Sequence, residues 1–282
     1  MNTNPGFIKE IPNADGFDIP VRIYGEKNTK TPILVMHGLE SHSGWFWQSG
    51  IALSGMGHPV YLVDRQGSGM SEAPRGDCKN YNVIVHDVET VADYLISQYN
   101  HSKVIVLGHC FGAIPSTVFT MKNPEKVEAL ILSTPAIFTI ADLSIDEKLE
   151  VFGSKITGKT HMIDTPIKDH KLFTTNPDYL NFIEEDQLKL TEATARFFFE
   201  IAHARTYIAT HRKKITVPVF MATAGKDGIC DNKKNLNFYN HIKSENKTHI
   251  DYPEAVHILE YSSEKDKFFG DLENWLNNLN TT

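Results

Sequence analysis

Cys110 stands in the run Gly108-His109-Cys110-Phe111-Gly112, directly after the apolar stretch Val104-Ile105-Val106-Leu107 and directly before a segment, Ala113 to Lys122, that can be helical. Strand, sharp turn and helix in that order make a nucleophile elbow. The turn lifts the thiol above the end of a sheet, its neighbours must be small, and the N–H that follows points at the oxyanion developing on an attacked carbonyl. A cysteine between glycines also fits a buried turn as a small hydrophobe, so the functional reading depends on partners. Acyl chemistry needs a base for the thiol proton, an acid to orient the base, and two donors for the oxyanion. Val217-Pro218-Val219-Phe220-Met221-Ala222 reads as a buried strand and breaks into Thr223-Ala224-Gly225-Lys226-Asp227. This puts Asp227 in the loop beyond a strand's carboxyl end, where open α/β sheets bind ligands; Asp231 is the competing carboxylate. The next short strand, Thr248–Asp251, leads through Tyr252-Pro253-Glu254-Ala255-Val256 to His257, so the chain order is nucleophile, acid, histidine. Ile33-Leu34-Val35-Met36 ends in His37-Gly38-Leu39, and a glycine there lets the backbone approach a ligand. The N–H groups of Leu39 and Phe111 are the expected oxyanion pair, and Trp45, Phe197 and Phe198 are the candidate substrate contacts.

Positioning these residues requires a mostly parallel, doubly wound sheet, and the chain has the matching alternation. Strands are expected at Val21–Tyr24, Ile33–Met36, Val60–Val63, Val104–Leu107, Ala129–Leu132, Val217–Ala222 and Thr248–Asp251. Helices are expected at Trp47–Met56, Val83–Gln98, Ile114–Lys122, Asn235–Ile242 and Glu264–Leu279. The alternation stops after Pro135. From about Phe138 to Lys214 no strand of comparable strength occurs, while Leu188–His211 reads as one long helix with Ala195, Phe198, Ala202 and Arg205 on a stripe. The expected organisation is an α/β catalytic domain, residues 1–138 and 215–282, interrupted by a helical cap, residues 139–214.

Composition excludes other function classes. The 282 residues, 41% hydrophobic, suffice for one substantial core and a subdomain. A net charge of −7 with scattered basic residues argues against nucleic-acid binding. Three cysteines without C-x-x-C spacing and 13 histidines without H-E-x-x-H point to neither a disulfide framework nor a metal site, so no metal is expected. Gly67-Ser68-Gly69 begins a dinucleotide fingerprint, but Glu72 stands where its third glycine belongs, so no cofactor is expected either. No apolar run is long enough to span a bilayer and Met1–Glu10 lacks a basic start with an apolar block, so the expectation is a cytoplasmic protein without a transmembrane segment.

His37-Gly38-Leu39-Glu40-Ser41-His42-Ser43-Gly44, Asp64-Arg65-Gln66-Gly67-Ser68-Gly69-Met70-Ser71, the Cys110 elbow, Asp227, and His257 with Glu260 together resemble the monoacylglycerol lipase and lysophospholipase branch of the α/β-hydrolases. The resemblance covers roughly Ile8 to Phe138 and Ile215 to Leu279. It implies an α/β-hydrolase fold with a helical cap, ester hydrolysis through a covalent acyl-enzyme, Cys110 as nucleophile, His257 as base, Asp227 as its orienting acid, and Leu39 and Phe111 as oxyanion donors. The departure is the thiol, because that family carries serine at the elbow. A thioester acyl-enzyme stays activated toward amines and thiols, as in the polyhydroxyalkanoate synthases, which resemble this chain in carrying an elbow cysteine. Three readings therefore stand: a hydrolase of esters or thioesters, an acyltransferase drawing on a coenzyme A or carrier-protein thioester, and a non-catalytic small-molecule binder.

Overall fold

The computed structural model describes residues 6–14, 16–158 and 160–279. Eight strands form one sheet in the order β1-β2-β4-β3-β5-β6-β9-β10. They are β1 (Phe7–Ile11), β2 (Ile19–Tyr24), β3 (Ile33–Met36), β4 (Val60–Val63), β5 (Val104–His109), β6 (Val127–Ser133), β9 (Val219–Ala224) and β10 (Lys247–Tyr252). The pairs β1/β2 and β2/β4 run antiparallel, and every pair from β4 through β10 is parallel. Strands β3, β4 and β5 are buried along their whole length, as sheet strands covered on both faces must be, which is why they read as unbroken apolar runs. The helices α1 (Trp47–Gly55), α2 (Tyr81–Tyr99), α3 (Ala113–Lys122), α7 (Asn232–Asn240) and α8 (Lys265–Asn278) connect and cover them. This is the α/β-hydrolase architecture. It brings the carboxyl ends of β3, β5, β9 and β10 to one edge; Met36 lies opposite Gly108 and His109 opposite Ser133.

Between β6 and β9 the chain forms α4 (Ile145–Thr157), β7 (Met162–Asp164), α5 (Pro177–Glu185), β8 (Glu192–Thr194) and α6 (Ala195–His211). Here the structure departs from the expectation of one helix from Leu188. Residues 192–194 pair with β7, Thr194 opposite Met162, and the Thr194 side chain then accepts from the Phe197 N–H to start α6. Strand pairing between residues as far apart as Met162 and Thr194 is invisible to local periodicity. Strand β1 was also not expected, because it lies on the sheet edge with Phe7 and Ile8 exposed and lacks a buried face to pattern it. In α4, Ser144 and Glu147 form a reciprocal capping box.

The insertion is tied to the site edge at several points. The Leu190 N–H donates to the Glu40 carbonyl at 2.8 Å, and the Ile258 N–H to the Phe173 carbonyl at 3.0 Å. The Asp186 carboxylate accepts from His42 Nε2 at 3.0 Å and from the Trp45 indole N–H at 2.6 Å.

Candidate active site

Cys110 occupies the left-handed region at φ +49°, a conformation that non-glycine residues adopt at a cost and that recurs at functional turns. The neighbouring glycines are required by space. A Cβ on Gly112 would fall 2.2 Å from the Met36 carbonyl oxygen and one on Gly108 2.6 Å from the Ala113 backbone. Gly38 is the counterpart on the adjoining loop, where a Cβ would stand 3.4 Å from Cys110 Cβ and 3.7 Å from its Sγ. The backbone at Gly38 therefore lies against the Cys110 side chain.

The turn carrying Leu39 is braced from beneath. His37 Nδ1 donates to the Gly38 carbonyl at 2.8 Å and its Nε2 accepts from the Arg65 N–H at 3.4 Å; this pattern requires the neutral ring, and burial with the Arg65 charge nearby holds the imidazole well below the usual histidine range. Fully buried Arg65 donates to the Leu39 carbonyl at 2.9 Å and lays its guanidinium 4.9 Å from the Phe111 ring centroid and 5.2 Å from that of Phe197. One side chain thus supports both expected oxyanion residues. In the sequence this arginine was legible only as part of a loop shaping the site edge. Asp64 adds a second brace, accepting from the Ser43 N–H at 2.6 Å and the Met70 N–H at 3.0 Å.

On the other side, Asp227 and His257 come together from the loops after β9 and β10. His257 Nδ1 lies 2.9 Å from Asp227 Oδ2, and both side chains are buried. Asp227 Oδ1 accepts from the Ile229 and Cys230 N–H groups at 2.8 and 2.9 Å, which fixes the carboxylate in its own loop. The other imidazole nitrogen, Nε2, is buried without a hydrogen-bond partner among the described residues. Burial opposes charge on this ring, yet the Asp227 carboxylate and the nearby Cys110 sulfur outweigh it and hold the imidazole well above the usual histidine range. Asp231 is elsewhere: it caps α7 through the Lys234 N–H and pairs with the Lys234 ammonium at 3.0 Å.

Cys230 is a site neighbour that sequence reasoning did not single out. Its thiol donates to the Thr134 carbonyl at 3.2 Å and lies 4.0 Å from His257 Nδ1; burial pushes it far up from the ordinary thiol value. Ligand atoms of Asp227, Cys230 and His257 fall within 4.8 Å of one another, but the first and last are spent on each other and the thiol on a carbonyl. The only available signal was its place three residues after Asp227. Glu260 follows His257 closely. Its carboxylate accepts from Ser49 Oγ, and its carbonyl accepts from Gln48 Nε2 at 2.9 Å, binding the histidine loop to α1.

A cavity of about 390 Å³ opens beside the elbow, lined by Leu39 and Phe111 and by Phe197, Phe198 and Phe199 of α6, among others. Trp45 is not one of its lining residues. It is fully buried with its ring edge-on to Phe173, 5.6 Å between centroids, and its N–H on Asp186, so it fastens the insertion instead of facing the cavity.

Comparison with known proteins agrees with this fold. Residues 27–265 match the family model "Serine aminopeptidase, S33", of the Hydrolase_4 group. The chain belongs to this family. As a member it is an enzyme of the α/β-hydrolase class. Human monoglyceride lipase is 25% identical over 98% of this chain and 92% of its own length. Among solved structures, a soluble variant of monoglyceride lipase from Saccharomyces cerevisiae, in complex with a substrate analog, superposes with a TM-score of 0.87 at 18% identity, covering 100% of this chain and 98% of the other. A monoacylglycerol lipase from Paleococcus ferrophilus gives 0.79 at 22% identity, covering 93% and 99%. Among the described residues no helix is long and apolar enough to cross a membrane.

Proposed function

We propose that the protein hydrolyses a carboxylic ester or thioester through Cys110, His257 and Asp227, with the acyl group carried as a thioester on Cys110. The observation that carries this reading is the Asp227–His257 pair at 2.9 Å with its free Nε2, close enough to the strained Cys110 for the sulfur to act electrostatically on the imidazole. In the reaction His257 Nε2 holds the thiol proton and the Cys110 thiolate attacks the carbonyl carbon. The Leu39 and Phe111 N–H groups receive the oxyanion, and His257 returns the proton to the departing alcohol or thiol. Water, deprotonated by the same imidazole, then cleaves the thioester and regenerates the thiol. A raised imidazole suits this nucleophile. Part of the rise comes from the Cys110 sulfur itself, the two charges favouring one another as a thiolate–imidazolium pair. The relatives' names supply the substrate class, small lipid esters; residues 139–214 act as a cap that closes the acyl cavity over them.

The thiol itself favours a second reading, transfer of the acyl group from a coenzyme A or carrier-protein thioester to an amine or thiol acceptor. Both readings are tested together. Incubation with p-nitrophenyl hexanoate should add a hexanoyl mass at Cys110 and release acid steadily, and Cys110→Ala should abolish both. An acceptor-dependent product with added amine, lost in Cys110→Ser, selects transfer; a Cys110→Ser enzyme faster on every ester selects hydrolysis. Unchanged turnover in Cys110→Ala would defeat both.

A further inference from the structure

Charge is unevenly distributed around the acyl cavity. Its charged lining residues are Asp142, Lys148 and Arg205, one acid against two bases, in a chain of net charge −7. The acid is already engaged, pairing with the Lys148 ammonium at 2.7 Å and accepting from the Leu143 N–H at 2.9 Å. Arg205 is not. Its Nη2 donates to the Ala136 carbonyl at 3.1 Å, its Nε is buried without a partner, and among the described residues no carboxylate forms an ion pair with it. A guanidinium stays charged under all ordinary conditions, and half-buried Arg205 feels the Asp142 carboxylate only at a distance, without a contact anion, which is costly. Burial already pushes Arg205 below its usual value. Its location gives that cost a use. The Ala136 residue whose carbonyl holds Nη2 gives its own N–H to the Cys110 carbonyl at 2.9 Å, so the guanidinium stands one residue's span from the Cys110 backbone, in a cavity wall shared with Phe111 and α6.

We propose that Arg205 is an anion subsite of the acyl cavity, and that the preferred substrate is an ester or thioester carrying a carboxylate or phosphate a few bonds from the scissile carbonyl. The free guanidinium N–H groups match two oxygens of such an anion in the fork geometry that arginine offers. The inference rests on the reading of Cys110 as the residue that receives the acyl group, and it adds which acyl compounds are selected.

Two matched pairs of substrates test it in the intact protein. The first is p-nitrophenyl hexanoate against mono-p-nitrophenyl adipate, with a carboxylate at the end of the acyl chain. The second is 1-hexanoylglycerol against its 3-phosphate, with the anion on the alcohol side. The expected result is a kcat/KM ratio of charged to neutral substrate of at least about ten in one pair, falling at least ten-fold in Arg205→Met and less in Arg205→Lys. The pair that responds identifies the source of the anion. Ratios of one or below in both pairs, or ratios that Arg205→Met leaves unmoved, would overturn the proposal. If no ester is turned over and no adduct forms at Cys110, the proposed function fails separately. Calorimetric titration with adipate and with glycerol 3-phosphate then decides: binding that weakens ten-fold in Arg205→Met supports the subsite, and equal or absent binding removes it. Should Arg205→Met not fold, Arg205→Lys and the wild-type ratios carry the test.

Discussion

Glu260 should make the fold sensitive to pH in a direction opposite to ordinary surface carboxylates. Burial pushes its carboxyl up to about 8 from a reference of 4.5, the Ser49 hydroxyl only partly offsetting this, and its Oε1 has no partner among the described residues. A carboxyl raised in the folded state binds a proton more tightly there than in the unfolded chain. Its contribution is therefore fully present below the unfolded value and is lost as pH climbs toward the folded value. Linkage between 4.5 and 8 gives a loss of about 4 kcal/mol on going from pH 5 to pH 9. Glu260→Gln keeps the shape and an acceptor for Ser49 but cannot ionise. Urea unfolding of both proteins at pH 5, 6, 7, 8 and 9 should show the variant gaining on the wild type by about 4 kcal/mol across that interval, with most of the gain below the folded value of about 8 and a plateau beyond it. Since other titrating groups are common to both proteins, they cancel in the difference. Parallel stability curves would refute the reasoning and mean that water or a neighbouring cation solvates the carboxylate.

The remaining expectations concern the site. Asp227→Asn should fold, because Oδ1 of either residue can accept from Ile229 and Cys230, yet lose up to about 10⁴-fold in turnover as the imidazole takes the wrong tautomer; Asp231→Asn should be mild, and a crippling Asp231→Asn would reverse the assignment. Iodoacetamide near pH 7.5 should label Cys110 at least ten-fold faster than Cys78, which burial pushes up to about 12, or Cys230, which burial also raises. Peptide mass mapping over time reads this directly, and equal rates at the three thiols would contradict the proposed nucleophile.

What the sequence determined by itself was everything that short-range pattern encodes. Apolar runs such as Ile33–Met36 and Val60–Val63 became strands with those bounds, because central strands covered on both faces need continuous apolar residues. Glycines at 38, 108 and 112 announced close backbone approach, and the order of strand, turn and helix around Cys110 announced the elbow. Elements that depend on distant partners were not legible: edge strand β1 has no buried face, and β8 exists because β7 pairs with it. The same division holds at the site. That Asp227 and His257 would lie in loops beyond strand ends followed from local pattern; the parallel register of β9 with β10 carries both loops to the same edge, and the folding of the loop after β9 decides which carboxylate meets the imidazole, Asp227 being held by the Ile229 and Cys230 N–H groups while Asp231 caps α7. Arg65 beneath Phe111, Cys230 beside His257 and Arg205 with its buried, unpartnered Nε beside the cavity at the elbow were likewise decided only by tertiary structure. A side chain's burial and partners are properties of residues far away in the chain, and no periodicity of 2 or 3.6 records them.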